Sequence, residues 1–179
     1  QGMKEGAEIA RDEINAGGGI LGRNVELVFA DTLRGRQHPD AETGATAAIE
    51  LVNAGCDFVI GGFWSEAIIA AREVFMDYYK IFLITGAADD ELIDGVRENY
   101  ARYKYLFRVN PINSPMLVRN IFGYLVYYLI PYKLLPMYGH PVKFAVLTED
   151  LAWTAKMHYI LTTPTIYPTV LGPNVTLAY

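Results

Sequence analysis

The chain has 179 residues, enough for one well-filled core or for one domain and part of another. Hydrophobic residues make up 52% and charged residues 20%, the balance of a folded globular chain and not of a disordered one. A formal net charge of -5 excludes the basic footprint that nucleic acid needs, and no polybasic stretch offers itself to a membrane surface.

The chain opens at Gln1-Gly2-Met3 with neither a leader pattern nor an initiating strand, so it reads as a mature or trimmed piece. Met3, Ala7, Ala10 and Ile14 recur at helical spacing, and Gly17-Gly18-Gly19 is a natural stop for that helix. Val25, Leu27 and Phe29 alternate and predict a strand running to Asp31, followed by a polar loop over Leu33 to His38. A second helix is predicted from about Asp40 to Ala54, with Ala41, Ala45, Ala48 and Val52 as its small-residue face and Gly55 closing it. The single Cys56 makes neither an intrachain disulfide nor a Cys-rich metal site, and reads as a small buried hydrophobe. Phe58-Val59-Ile60 predicts a short strand, Ser65 to Tyr79 a helix, Ile81 to Ile84 a strand, and Tyr105 to Val109 another. Pro111 to Pro115 reads as a turn-rich joint.

Ile121 to Pro136 is dense in apolar residues, yet Arg119, Pro131, Lys133 and Pro136 interrupt it. A spanning helix needs about 20 apolar residues in a row, so the stretch predicts a buried or interface helix ending near Pro131. Val142 to Leu147 then reads as a strand, a helix begins at about Ala152, and a weak strand covers Val175 to Tyr179. Helix and strand alternate almost throughout, and the strands are short, continuous apolar runs of the kind buried on both faces. The pattern predicts an α/β fold, a doubly wound parallel sheet with helices on both sides.

In such a sheet a ligand binds beyond the carboxyl ends of the strands. Gly62-Phe63-Trp64-Ser65, Thr85-Gly86-Ala87-Ala88-Asp89 and Glu149-Asp150-Leu151-Ala152-Trp153 occupy such positions. Ser65 reads as the N-cap of a helix whose unpaired N–H groups suit a carboxylate or another acceptor. Gly86 admits close backbone approach, while Phe63, Trp64 and Trp153 offer flat apolar walls. Each residue alone has an equally good structural explanation, a cap for Ser65 and core filling for the tryptophans. Only their shared edge favours a site.

Other chemistries fail on context. Gly17-Gly18-Gly19-Ile20-Leu21-Gly22 follows a helix and precedes a strand, the reverse of a nucleotide-binding turn. His38, His140 and His158 lie in separate segments without metal-ligand spacing, and no Gly-x-Ser-x-Gly elbow exists. Asp89-Asp90-Glu91 reads better as a solvated helix start than as an acid/base pair. Asn174-Val175-Thr176 fits a glycosylation acceptor, a pattern common by chance. The chain is therefore expected to be no enzyme and to need no metal or cofactor.

The run Asp12-Glu13-Ile14-Asn15-Ala16-Gly17-Gly18-Gly19-Ile20-Leu21-Gly22-Arg23 with Val25-Glu26-Leu27 resembles the opening of type I periplasmic binding proteins, in the branched-chain amino acid branch of ABC transporter receptors. The likeness continues at Ala30-Asp31-Thr32, Val59 to Ser65, Thr85-Gly86-Ala87, Phe107-Arg108-Val109 and Ala145 to Asp150 with Trp153. The ordered series carries it. The resemblance implies two α/β lobes that close by a hinge over a small polar solute, then dock on a membrane permease outside the cytoplasm. It also implies a first lobe over 1–109 lacking its first strand, crossing segments over 110–115, and an incomplete second lobe over 116–179. On the matching positions, Ser65 and neighbouring backbone hold a carboxylate, Thr85 to Ala88 add carboxylate and ammonium contacts, and Trp153 lines the second lobe. Ala88 stands where relatives often carry a hydroxyl and Asp89 follows it, so a cationic or polyol-like solute remains beside an amino acid. A sensing receptor on the same scaffold is the alternative, an α/β enzyme using Ser65, Asp89 and Glu149 a more distant one. Residues 121–135 are a candidate contact with a second copy.

Overall fold

The computed structural model describes residues 2–33, 39–110, 113–139, 142–148, 150–163 and 175–177. Gln1, His38, Pro111, His140, Glu149, Asn174 and Tyr179, all named above, lie outside the described residues. The described residues form two units: 1–86 with 95–110, and 87–94 with 111–179.

In the first unit the opening helix α1 spans Gly2–Ala16, α2 Ala41–Asn53, β1 Phe58–Gly61, α3 Ser65–Asp77 and β2 Ile81–Ile84. After Gly95 the unit takes in the end of α4 (Glu91–Glu98), α5 (Tyr100–Tyr103) and β3 (Leu106–Arg108). The strands form a parallel sheet in the order β1-β2-β3, with Phe58 opposite Ile81 and Phe82 opposite Leu106. Val59, Phe82, Ile84 and Leu106 are buried with Ala67, Ile68, Ala71, Phe75 and Met76 of α3, and the Phe75 and Phe82 rings lie 4.9 Å apart. The other face is more open than predicted: Phe58 is 67% and Ile60 52% exposed.

Small residues bring α2 onto α3. Gly44 lies against Ala67, and a Cβ added there would collide with the Ala67 carbonyl. Asp40 caps α2 through a capping box with Thr43, and Gly55 follows with φ 77°, as expected for a helix stop. A carboxylate network ties α3 to α5. Glu73 accepts hydrogen bonds from Arg72 at 2.9 Å, from Arg102 at 2.8 Å and from the Tyr103 hydroxyl at 3.0 Å. Arg72 is only 5% exposed, and its guanidinium stacks 4.7 Å from the centre of the Tyr103 ring. Burial pulls the Glu73 carboxyl upward, but the hydrogen bonds from Arg102 and Tyr103 and the Arg72 charge outweigh it and hold it below the usual range.

Several sequence expectations change. Residues 25–31 form no strand among the described residues. The Asn15 carboxamide instead bonds both the Val25 N–H, at 2.7 Å, and the Val25 carbonyl, at 3.0 Å, as a neighbouring strand would. The α1 face holding Met3 and Ile14 is not buried, those residues being 45% and 39% exposed. Cys56 is half-buried and not enclosed. The Gly-rich turn behaves as predicted: Gly18, Gly19 and Gly22 have positive φ, and Ile20 pairs back on Arg23.

The second unit contains α6 (Ser114–Tyr124), a π-helical stretch Leu125–Leu134, α7 (Leu135–Tyr138), β4 (Val142–Phe144), α8 (Ala152–Thr162) and β5 (Val175–Leu177), with β4 and β5 parallel. The helix predicted to stop near Pro131 runs on to Gly139. Pro131 lacks an N–H and crowds the carbonyl four residues back; the wider π turn accommodates the ring without ending the helix. The strand predicted to Leu147 ends at Phe144. Phe122 and Ile130 form the buried centre here, packed by Val126, Phe144, Met157 and Ile160 among others. Among the described residues no helix is long and apolar enough to cross a membrane.

Two stability outcomes follow. Gly44→Ala is expected to cost about 2 kcal/mol, read from the urea midpoint, because backbone and not a flexible side chain opposes the new methyl; an unchanged midpoint would contradict this packing. Glu73→Gln is expected to cost about 1 kcal/mol at neutral pH. Glu73 has its folded pKa depressed, so its contribution is present above the unfolded value of 4.5 and is lost as pH falls through the folded value. Acid titration of the urea midpoint should therefore show a smaller decline for the variant than for the wild type.

Candidate functional site

Parallel pairing sends the chain out of β1 and β2 at the same edge. The turn Gly62-Phe63-Trp64 follows β1 and Thr85-Gly86 follows β2, both within the first unit. The Thr85 N–H donates to the Gly61 carbonyl at 3.1 Å, extending the ladder to the rim. Gly61 and Gly62 have φ of 130° and 89°, which residues with a Cβ rarely adopt. The two turns touch: a Cβ on Gly86 would lie 2.9 Å from the Gly62 carbonyl oxygen and 2.9 Å from the Phe63 ring. β3 ends beside them, with the Val109 N–H donating to the Ile84 carbonyl at 3.0 Å.

Of the rim residues, Phe63 is 66% exposed, Thr85 is exposed, and Trp64 and Gly86 are half-buried. The Phe63 and Trp64 rings meet edge to face with centroids 6.4 Å apart. The rim thus offers aromatic surface, a hydroxyl and glycine backbone. Ser65 departs from the sequence reading. Trp64 is the N-cap, Ser65 is the first helical residue, and it is 1% exposed. Its side chain is buried.

The remaining candidates belong to the second unit. Ala87 is fully buried, while Ala88 and Trp153 are half-buried. The Ala88 carbonyl accepts from both the N–H and the hydroxyl of Ser114, at 2.9 and 3.1 Å. Trp153 stands in the first turn of α8, past the carboxyl end of β4. Thr154 braces that turn: its hydroxyl donates to the Leu151 carbonyl at 2.8 Å. Asp89 accepts from the Glu91 N–H at 2.8 Å, the helix-start role its position suggested. Sequence reasoning missed the partner of Asp90, which is Lys156 of α8 at 3.0 Å; a pair separated by 66 positions leaves no local signal.

A small hollow in the first unit, lined by Ala30, Thr32, Ala47, Val59, Ile68 and Phe82 among others, contains none of the candidate residues. Its lining is almost wholly apolar, which suits side-chain packing more than a polar solute. Among the described residues no group of His, Cys, Asp and Glu has the geometry to hold a metal ion.

Residues 1–158 match the family model described as periplasmic binding protein. The chain is 30% identical over 155 residues to Leu/Ile/Val-binding protein homolog 7 of Brucella melitensis, covering 83% of this chain and 34% of that protein. It is 37% identical over 75 residues to Leu/Ile/Val-binding protein BraC3 of Rhizobium johnstonii, covering 42% of this chain and 19% of that one. A solved ABC transporter substrate-binding protein from Desulfitobacterium hafniense, in complex with Leu, superposes with a TM-score of 0.67 at 23% identity, covering 98% of this chain and 46% of that one. The chain thus spans at most about a third of the length of these curated relatives.

The contact between the turns predicts the effect of filling it. Gly86→Val is expected to push Phe63 off the second turn, and a changed near-ultraviolet aromatic signal with the far-ultraviolet spectrum retained would report this. An unchanged aromatic signal would contradict the contact.

Proposed function

We propose, from the premise that the chain belongs to the periplasmic binding protein family, that it is part of a receptor that captures an amino acid or similar small polar solute and does no chemistry on it. The observation that carries this is the meeting of the β1 and β2 turns at one rim, with exposed Phe63 and Thr85 beside the backbone of Gly86. Such a rim combines apolar walls with a few fixed polar groups, the composition of small-molecule sites. The names of the relatives make a branched-chain amino acid the first solute to try. In this proposal Phe63, Trp64, Thr85, Gly86 and Ala88 are the first lobe's contacts, and Trp153 the second lobe's. Ser65 and Ala87 are the floor, their side chains being covered.

The lobes are residues 1–109 and, from 116 onward, the start of the second, joined through 110–115. Closure of the lobes over the solute would then present a surface to the permease of an ABC transporter, outside the cytoplasm. A second copy is the proposed partner of 121–135, supported by exposed Tyr124, Tyr127 and Tyr132 on a stretch whose only charge is Lys133. Burial of Ser65 speaks against the enzyme alternative, because a nucleophile needs access to its substrate.

Calorimetry on the full-length protein with leucine, isoleucine, valine, a basic amino acid and a polyol tests the proposal. Micromolar binding of at least one, near -8 kcal/mol, is expected. Phe63→Ala should weaken it about tenfold or more, with little change in melting temperature because the ring is mostly exposed. Absence of binding across the panel, or turnover of any member, would overturn it.

A further inference from the structure

The turn after β2 is divided between the units: Thr85 and Gly86 belong to the first, Ala87–Asp94 to the second. Within the second unit two anchors hold that segment. The first is the pair of bonds from Ser114 at the start of α6 to the Ala88 carbonyl. Ser114 is 3% exposed, so water competes little for them. The second is the Lys156 ammonium of α8, which reaches the Asp90 carboxylate at 3.0 Å. The Asp90 side chain is 16% exposed, a sheltered acceptor, while that of Lys156 is 63% exposed.

Asp90 is a consequential residue to hold. Its main-chain carbonyl accepts the N–H groups of Ile93 and Asp94, so it opens α4. Ala87 and Ala88 lie just before it in the chain. Lys156 sits three residues beyond Trp153 on α8, and residues at that spacing share a helix face. The hydrogen bond that Lys156 donates to Asp90, and the charges of Asp90, Asp94 and Asp89, outweigh partial burial and raise the Lys156 pKa above the ordinary lysine value. The ammonium is therefore present at any neutral pH.

We infer that Lys156 is a positioning residue for the second unit's share of the solute site: by fixing Asp90 it sets the turn carrying Ala87 and Ala88 in register with the first turn of α8, where Trp153 stands. This rests on the receptor reading above for its functional meaning. Its structural content stands alone, namely that Ala87–Asp94 is a strap pinned to α6 and α8. Local pattern cannot find such a residue, because its work is done on a segment 66 positions away.

The test uses the full-length protein with Lys156→Met and Lys156→Arg, read by hydrogen exchange and by calorimetry with L-leucine. Lys156→Met is expected to speed exchange of the 88–94 amides about tenfold and to leave the amides of α3 unchanged. It should weaken L-leucine binding about tenfold, with the melting temperature kept within about 2 °C because the lysine is solvent-facing. Lys156→Arg should restore both. Exchange at 88–94 equal to wild type in Lys156→Met overturns the inference, as does wild-type affinity in that variant. A wild-type protein that binds none of the panel above sinks the receptor reading, and the exchange measurement then still decides whether Lys156 pins the strap. A global fall in protection that Lys156→Arg fails to repair would show a general packing role and overturn positioning.

Discussion

Parallel pairing of β1 with β2 is the constraint on which the rim of the first unit depends. The register Phe58 to Ile81 through Gly61 to Ile84 makes both strands end together. Had the strands run antiparallel, the turns after them would stand at opposite edges of the sheet. Because they run together, Gly61 and Thr85 continue the ladder by one more bond, and the glycines let the chain turn sharply there. Phe63 is thereby placed against Gly86, residues that lie in separate stretches of the sequence.

That rim stands on a stiff base. Gly44 against Ala67 brings two helices close enough that backbone meets backbone, and Ala67, Ile68, Ala71 and Phe75 fix α3 on the sheet. The Glu73 carboxylate, gripped by Arg72, Arg102 and Tyr103, ties α3 to α5 with charge-assisted bonds. A binding surface on rigid elements loses less entropy when a solute arrives than one on mobile loops. In the second unit, Ser114 and Lys156 fill the same role for Ala88 and Asp90.

Periodicity made most of this fold legible in the sequence. Short apolar runs at 58–60 and 81–84 announced the parallel sheet, and Gly55 and the glycines after Ala16 announced helix ends. Where reading failed, a non-local partner or a side chain decided. Val25, Leu27 and Phe29 alternate as a strand should, yet Asn15 occupies the hydrogen bonds at Val25. Pro131 normally breaks a helix, but a change of helical pitch absorbed it. Ser65 has the chemistry of a cap, but the turn shifted the cap to Trp64 and left Ser65 as the first, buried residue of the helix. The exposed aromatic and the glycine of the rim were legible because strand tips in a parallel sheet have a predictable edge. The Asp90–Lys156 pair was not, because 66 positions separate its members.

A crystal structure of the full-length protein grown with L-leucine or L-valine tests the central claim most directly. The account predicts solute density in contact with Phe63, Thr85 and the Gly86 backbone. Density lodged elsewhere, for instance in the apolar hollow beneath Ala30, with the two turns left empty, would contradict it.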